Sequence, residues 1–376
     1  MDAAVSMVMA LDNNSMDLQD GGQDGLQDVS TIAMMPDEGG SSIPTDRIPF
    51  VVFGCVGIIG NLIVILTLGS KYELRRKIIN MFVINQSIVD MLASLTLMLF
   101  AITLPSDRKS IGISGEFYCK LWVSAVLLWS LYVTSTYNIL GMTVERYLKI
   151  VHPFWYKRFY HKRHAIIGIA LAWGFSFAFN FALTVPTTVI DEDYNCLSMG
   201  KWPSITHARA AGIITVIVEL FIPLIILILC YGGIVVMLRR NMDTTTSDNL
   251  AASGASQQRD KTINAAYRNT IKTLALVAIV YVICWTGNQV YFLMYNLGYN
   301  LCWCGPIYII ETNLVNANSC LNPFIYAFTY NDFKKRFRAI IGLKQQDSGG
   351  SVSGTTKVTS VSQSVEMSTS NNKASE

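Results

Sequence analysis

SLYVTSTYNILGMTVERYLKIVHPFWYKRF, residues 130–159, carries no charge through its first half, and then Glu145 and Arg146 stand side by side. The uncharged half can enter a bilayer, and the acid and base fall where such a helix would meet water. A guanidinium at that rim needs a partner, either the neighbouring carboxylate or a group that replaces it. Two readings follow: Arg146 opens a basic flank that anchors a spanning helix, or it is a switch with two positions.

Outward from this stretch the chain repeats the same pattern. A bilayer core takes about 20 mostly apolar residues per helix. Segments 48–70, 121–144, 165–190 and 273–297 carry no charge, while 78–104, 210–238 and 307–330 carry one each, Asp90, Glu219 and Glu311. These are seven spans, the pattern of an all-α membrane protein, and a chain that is 51% apolar and 15% charged does not suit a soluble domain. Segments 71–77, 145–164, 239–272 and 331–376 hold 23 of the 29 Lys and Arg residues. Positive charge is retained on the cytoplasmic side, so the amino terminus is expected outside. Residues 5–11 are a short apolar run with no basic flank, so the first span is expected to direct insertion.

The flanks read differently from the spans. Residues 1–46 hold nine carboxylates and no Lys or Arg, which predicts a disordered acidic arm that solubilises or that concentrates cationic ligands. Asn13-Asn14-Ser15 is a glycosylation acceptor at Asn13. The body is expected over 47–343, and 344–376 reads as a disordered Ser/Thr-rich cytoplasmic tail, a target for phosphorylation. The third inner loop, 239–262, is expected to be flexible. Inner loop two, 149–164, is basic with Trp155, Tyr156, Phe159 and Tyr160 interleaved, which suits an anchor on lipid. Residues 332–341 have apolar positions at helical spacing opposite a basic face, the pattern of a helix lying on a membrane.

Polar groups inside the spans need partners, because hydrocarbon supplies none. Asp90 is the expected partner of Asn61. Ser135, Asn318, Ser319 and Asn322 supply oxygens that either complete a small hard-cation cage around Asp90 or form a water-filled polar cluster. Glu219 wants a cation, from a ligand or from His207 or Arg209. Cys119 and Cys196 lie in outer segments where oxidation is permitted. Cys302 and Cys304 also lie outside, but a bridge across one residue is strained, leaving two thiols or a partner chain. Cys55, Cys230, Cys284 and Cys320 read as small buried apolar groups.

TVERYLKIVHP at 143–153 resembles the helix-three signature of the class A, rhodopsin-like G-protein-coupled receptors. Asp90, Trp173, Pro223 with Tyr231, Cys284-Trp285 and Asn322-Pro323-Phe324-Ile325-Tyr326 match that family in order. The likeness covers residues 48–343, and the joint occurrence of the motifs is specific. It implies a bundle of seven helices with an amphipathic eighth and a Cys119–Cys196 link. It implies a coupling switch of Glu145, Arg146, Tyr147, Tyr231, Trp285, Asn322, Pro323 and Tyr326, and an allosteric sodium at Asp90, Ser135, Asn318, Ser319 and Asn322 with no other cofactor. The implied partners are an extracellular ligand, a heterotrimeric G protein, arrestin and a receptor kinase on the tail, and lipid at the plasma membrane, with no nucleic acid.

Several positions depart from the family. Gly287 stands for the helix-six proline, Tyr281 for a phenylalanine, Thr136 for an aliphatic residue, and Tyr267 for an acid that clamps the arginine. Cys119 stands 27 residues before Arg146, two more than the family's spacing, so the outer end of helix three should bulge or its disulfide should be re-aimed. Leu128 lies where amine receptors carry an aspartate, and Asn316 where opsins carry the retinal lysine, which disfavours both ligands. Trp129, Tyr132, Glu219 and Asn288, with Gln289, Phe292, Tyr308 and Glu311, form the expected ligand set. With the acidic outer loop Asp191-Glu192-Asp193 they lean toward a basic peptide. The rival reading is a transporter or channel using Asp90, Glu219 and Glu311 as an ion path, although the helices show no doubled pattern. An enzyme is not expected, since the chain has neither His-Glu-x-x-His nor Gly-x-Ser-x-Gly.

Overall fold

The structure is a computed structural model that describes residues 47–103, 112–248, 254–301 and 305–342. Asn13, the acidic arm, Cys302, Cys304 and the Ser/Thr-rich tail lie outside these residues, as does the side chain of Tyr267. The uncharged runs form long helices: α1 (Ile48–Gly69), α2 (Ile78–Thr103), α3 (Val126–Val151) and α4 (Lys162–Thr187). α5 consists of Ile205–Val216, a π-helical turn Ile217–Phe221 and Ile222–Asp248. α6 (Gly254–Asn296), α7 (Pro306–Thr329) and the short α8 (Asn331–Ile340) complete it. The third inner loop, expected to be flexible, is helical through Asp248 and again from Gly254, because its Ala, Gln, Arg and Lys residues extend helices already anchored in the spans.

α1 packs on α2 and α7, α6 on α7 and the outer part of α5, and α3 touches α2, α4, α5 and α6, which makes it the central post. Among the described residues six of the spans are long and apolar enough to cross a membrane. α7 is long enough at 24 residues but more polar. Its Asn316, Asn318, Ser319 and Asn322 are buried toward the bundle. Polar groups in a membrane helix are tolerable on that side alone. The opposite pattern clothes the exterior, where Ile59, Leu66, Leu229 and Ile283 are each at least 60% exposed, a surface suited to lipid.

The two extra residues before Arg146 are absorbed above α3. A short helix Gly112–Phe117 runs into a π-helical turn Tyr118–Val123, and Ala125 then takes a left-handed φ of 56°. A π turn widens the helix, and an L-residue in the left-handed region costs about 1–2 kcal/mol. The Ser124 hydroxyl donates to Lys120 O at 2.6 Å and accepts from Val126 N at 3.3 Å, closing the break. Thus the helix bulges and the disulfide keeps its place: Cys119 is bonded to Cys196, with Cα atoms 5.4 Å apart. Cys196 lies on β2 (Cys196–Leu197), paired antiparallel with β1 (Val189–Ile190).

Two prolines shape the interior. Proline lacks an N–H and leaves the carbonyl four residues earlier without its helical donor. Pro223 does this to Glu219 O, which accepts instead from the Tyr281 hydroxyl at 2.7 Å. Pro323 does it to Ser319 O, which accepts from Asn61 Nδ2 at 2.9 Å. Asn61 was expected to pair with Asp90; it serves the broken backbone of α7 instead, donating also to Gly57 O.

α8 is pinned to the inner rim. Phe333 is buried and stacks on Phe337, Lys77 pairs with Asp332 at 2.7 Å, and Arg336 Nε donates to Ser70 Oγ at 2.8 Å.

Candidate functional site

Three clusters lie along the axis of the bundle. In the middle, Asp90 is fully buried. Asn322 Nδ2 donates to its Oδ2 at 2.7 Å, Ser135 Oγ to its Oδ1 at 2.9 Å, and Gln86 Nε2 to both oxygens at 3.1 Å. Asp90, Ser135 and Asn322 therefore meet as expected. Asn318 and Ser319 make no bond to Asp90, and their Oδ1 and Oγ, like Asn322 Oδ1, lack a partner among the described residues. Gln86, not anticipated from sequence, also donates to Ser135 Oγ. Its Oε1 accepts from Asn138 Nδ2 at 2.7 Å, Asn138 Oδ1 from Asn85 Nδ2 at 2.9 Å, and Asn85 Oδ1 from Trp173 Nε1 at 3.1 Å. A line of side-chain hydrogen bonds thus crosses from α4 through α2 and α3 to α7. The available signal was local: Gln86 lies four residues before Asp90, on the same helical face.

Above this cluster Trp285 closes the bundle. It is 1% exposed and stands edge-on to Trp129 and Tyr132, with ring centroids 6.3 and 6.0 Å away. The Tyr132 hydroxyl donates to Asn316 Oδ1 at 2.7 Å, tying the floor to α7. Glu219 sits in the π turn of α5 and is buried. Among the described residues one side-chain donor reaches its carboxylate, Gln289 Nε2 on Oε2 at 2.9 Å. The expected alternatives are elsewhere. His207 Nδ1 pairs with the Ser204 hydroxyl at the start of α5, and the Arg209 guanidinium lies beside Gly298.

Glu311 accounts for Gly287. A Cβ built on Gly287 would lie 1.7 Å from Glu311 Oε2, so the carboxylate of α7 occupies the space that a proline ring would need on α6. Tyr308 packs on Tyr291 with centroids 5.8 Å apart, and Asn288 and Phe292 are half-buried on α6. Of the expected ligand set, Trp129 and Tyr132 thus meet at Trp285 and Glu219 meets Gln289, while Glu311 lies against Gly287 and Tyr308 against Tyr291.

At the inner end Arg146 Nε lies 2.9 Å from Glu145 Oε2, and both side chains are buried. Glu145 is held a second time: the Tyr156 hydroxyl, from the short helix Pro153–Phe159, donates to its Oε1 at 2.6 Å. Burial, and then the negative charge of Glu145, raise the Tyr156 hydroxyl above the ordinary tyrosine range and push that of Tyr160 up to about 12. Both remain neutral near pH 7, so Tyr156 stays a donor. Tyr147 packs against Gly233, where an added Cβ would approach its ring to 2.6 Å. Tyr231 is half-buried, and Tyr326 is fully buried with its hydroxyl lacking a partner among the described residues.

Residues 60–326 match the family described as 7 transmembrane receptor (rhodopsin family). Galanin receptor type 1 of Mus musculus is 26% identical over 302 residues, covering 78% of this chain and 81% of the relative. Somatostatin receptor type 5 of Bos taurus is 26% identical over 305 residues, covering 79% and 76%. The crystal structure of squid rhodopsin superposes with a TM-score of 0.62 at 18% identity, covering 79% of this chain and 84% of that one, a likeness of fold.

Proposed function

The chain belongs to the rhodopsin family of seven-transmembrane receptors, and from that premise we propose that it binds an extracellular basic peptide and transmits the event to a heterotrimeric G protein. The observation that carries this reading is the Glu219 carboxylate, buried near Trp285 with, among the described residues, one neutral side-chain donor. A carboxylate so placed gains most from a cationic group brought by a ligand. The galanin and somatostatin receptors among the relatives are named for peptides. Leu128 offers no carboxylate to a monoamine, and the helix between it and Arg146 is uninterrupted, so the extra residues farther out do not disturb that register. Asn316 has no amine for a retinal Schiff base.

Binding favours a conformer that already exists at low population. A peptide cation on Glu219 competes with Gln289 and shifts α6 through Trp285, whose aromatic neighbours on α3 transmit the movement. The cytoplasmic end of α6 swings outward. Arg146 leaves Glu145 for Tyr231 and Tyr326, Glu145 retains Tyr156, and the opened inner face accepts a helix of the G protein. In this account the protein sits in the plasma membrane with its amino terminus outside and Asn13 glycosylated. α8 and inner loop two rest on anionic lipid, and the phosphorylated tail recruits arrestin.

The test is nucleotide exchange on purified heterotrimers by the protein in lipid nanodiscs, screened with pooled basic peptides. Acceleration by at least one peptide is expected. Failure with every heterotrimer, together with ligand-independent ion flux in liposomes, overturns the reading in favour of a channel.

A further inference from the structure

The niche beside Asp90 is defined by three oxygens, Asp90 Oδ1, Asp90 Oδ2 and Ser135 Oγ, and the amide nitrogen of Gln86 is within hydrogen-bond reach of all three. That is the position a hard cation would take to be held by Asp90 and Ser135 together, since such ions gather oxygen ligands. We propose that the Gln86 amide stands in for a cation there, so that this receptor's central lock is closed by hydrogen bonds and binds no sodium.

The amide cannot turn away cheaply. Its Oε1 accepts from Asn138 Nδ2 at 2.7 Å, and Asn138 is held in turn by Phe82 O at 3.1 Å and by Asn85. A flipped amide would set Oε1 against the carboxylate and Nε2 against the Asn138 amine, two repulsions in place of two bonds, so the network dictates the orientation. With Nε2 facing Asp90, the positive ends of its N–H bonds repel a cation from the same niche. The remaining oxygens of the expected cage, Asn318 Oδ1, Ser319 Oγ and Asn322 Oδ1, lack partners among the described residues. Water satisfies such atoms by donating and accepting, and leaves Gln86 in place. Sodium would have to displace the amide to reach the carboxylate.

The decisive measurement is the thermal unfolding midpoint of the purified full-length protein in sodium chloride against choline chloride at equal ionic strength. It needs neither ligand nor G protein, so its outcome is separate from that of the receptor reading. Wild type is expected to melt alike in both salts. Gln86→Leu, which removes the amide donor from the niche at similar size, is expected to gain a saturable sodium-specific rise of about a few degrees, lost again in the Gln86→Leu/Asp90→Asn double variant. A saturable sodium-specific rise in wild type that Asp90→Asn abolishes overturns the proposal. So does a folded Gln86→Leu protein indifferent to sodium. If Gln86→Leu does not fold, the wild-type and Asp90→Asn pair decides.

Discussion

Asp90 and Glu219 are carboxylates buried to nearly the same degree, 0% and 3% exposed, yet their surroundings differ in kind. Asp90 receives donors from α2, α3 and α7. Among the described residues Glu219 receives one, from α6, and lies in a π turn whose backbone is already opened by Pro223. Three helices converge around the first, which is saturated by neutral groups, so it ties them together. The second keeps unused acceptor capacity, because an ionised carboxylate offers about four lone-pair sites. Burial by itself does not separate a structural acid from a ligand-facing one; the count of donors does.

That contrast is open to breakage at several points. The largest effect is expected from Asp90→Ala, which strands the Asn322 amide and the Ser135 hydroxyl proton and leaves the Gln86 amide with Ser135 and Asn138 alone. Each stranded buried group costs about 1–3 kcal/mol, so the purified protein should lose several kcal/mol and most of its expression. If Glu219→Ala destabilises as much, the distinction between the two acids fails. Glu219→Gln should leave the unfolding midpoint nearly unchanged, since an amide can still bond to Gln289, while raising the half-effective concentration of an activating basic peptide about tenfold, or about 1.4 kcal/mol.

Gly287→Ala tests the neighbouring carboxylate. The new methyl displaces Glu311 and should cost about 1–3 kcal/mol by overpacking. Adding Glu311→Ala should restore stability, and a double variant no better than the single would show that Gly287 answers to something else. The smallest effect is expected from Tyr281→Phe. It removes the donor that replaces Pro223's missing N–H on Glu219 O and should cost about 0.5–1.5 kcal/mol in thermal unfolding.

Much of this architecture is legible along the chain. The runs without charge and the two-residue excess before Arg146 each correspond to something in the fold: long helices and a π turn with a left-handed Ala125. The prolines could be read too, and with them the loss of a backbone bond at Glu219 and Ser319. Their rescuers could not. Tyr281 lies 62 residues from Glu219 and Asn61 lies 258 residues from Ser319, and no local pattern links such pairs. Gln86 is the opposite case, a local i, i+4 neighbour of Asp90 whose nitrogen, not an oxygen, faces the carboxylate.

Hydropathy and charge are sums over neighbouring residues, and partitioning into a bilayer responds to those sums. The number of spans and their order therefore follow from composition along the chain. Hydrogen-bond partners inside the bundle depend on which faces of separate helices meet. The Asn138 bond that orients the Gln86 amide, the Gln289 donor on Glu219 and the carboxylate beside Gly287 were therefore settled when the helices packed, because a polar group in hydrocarbon takes whichever donor or acceptor the neighbouring helix presents.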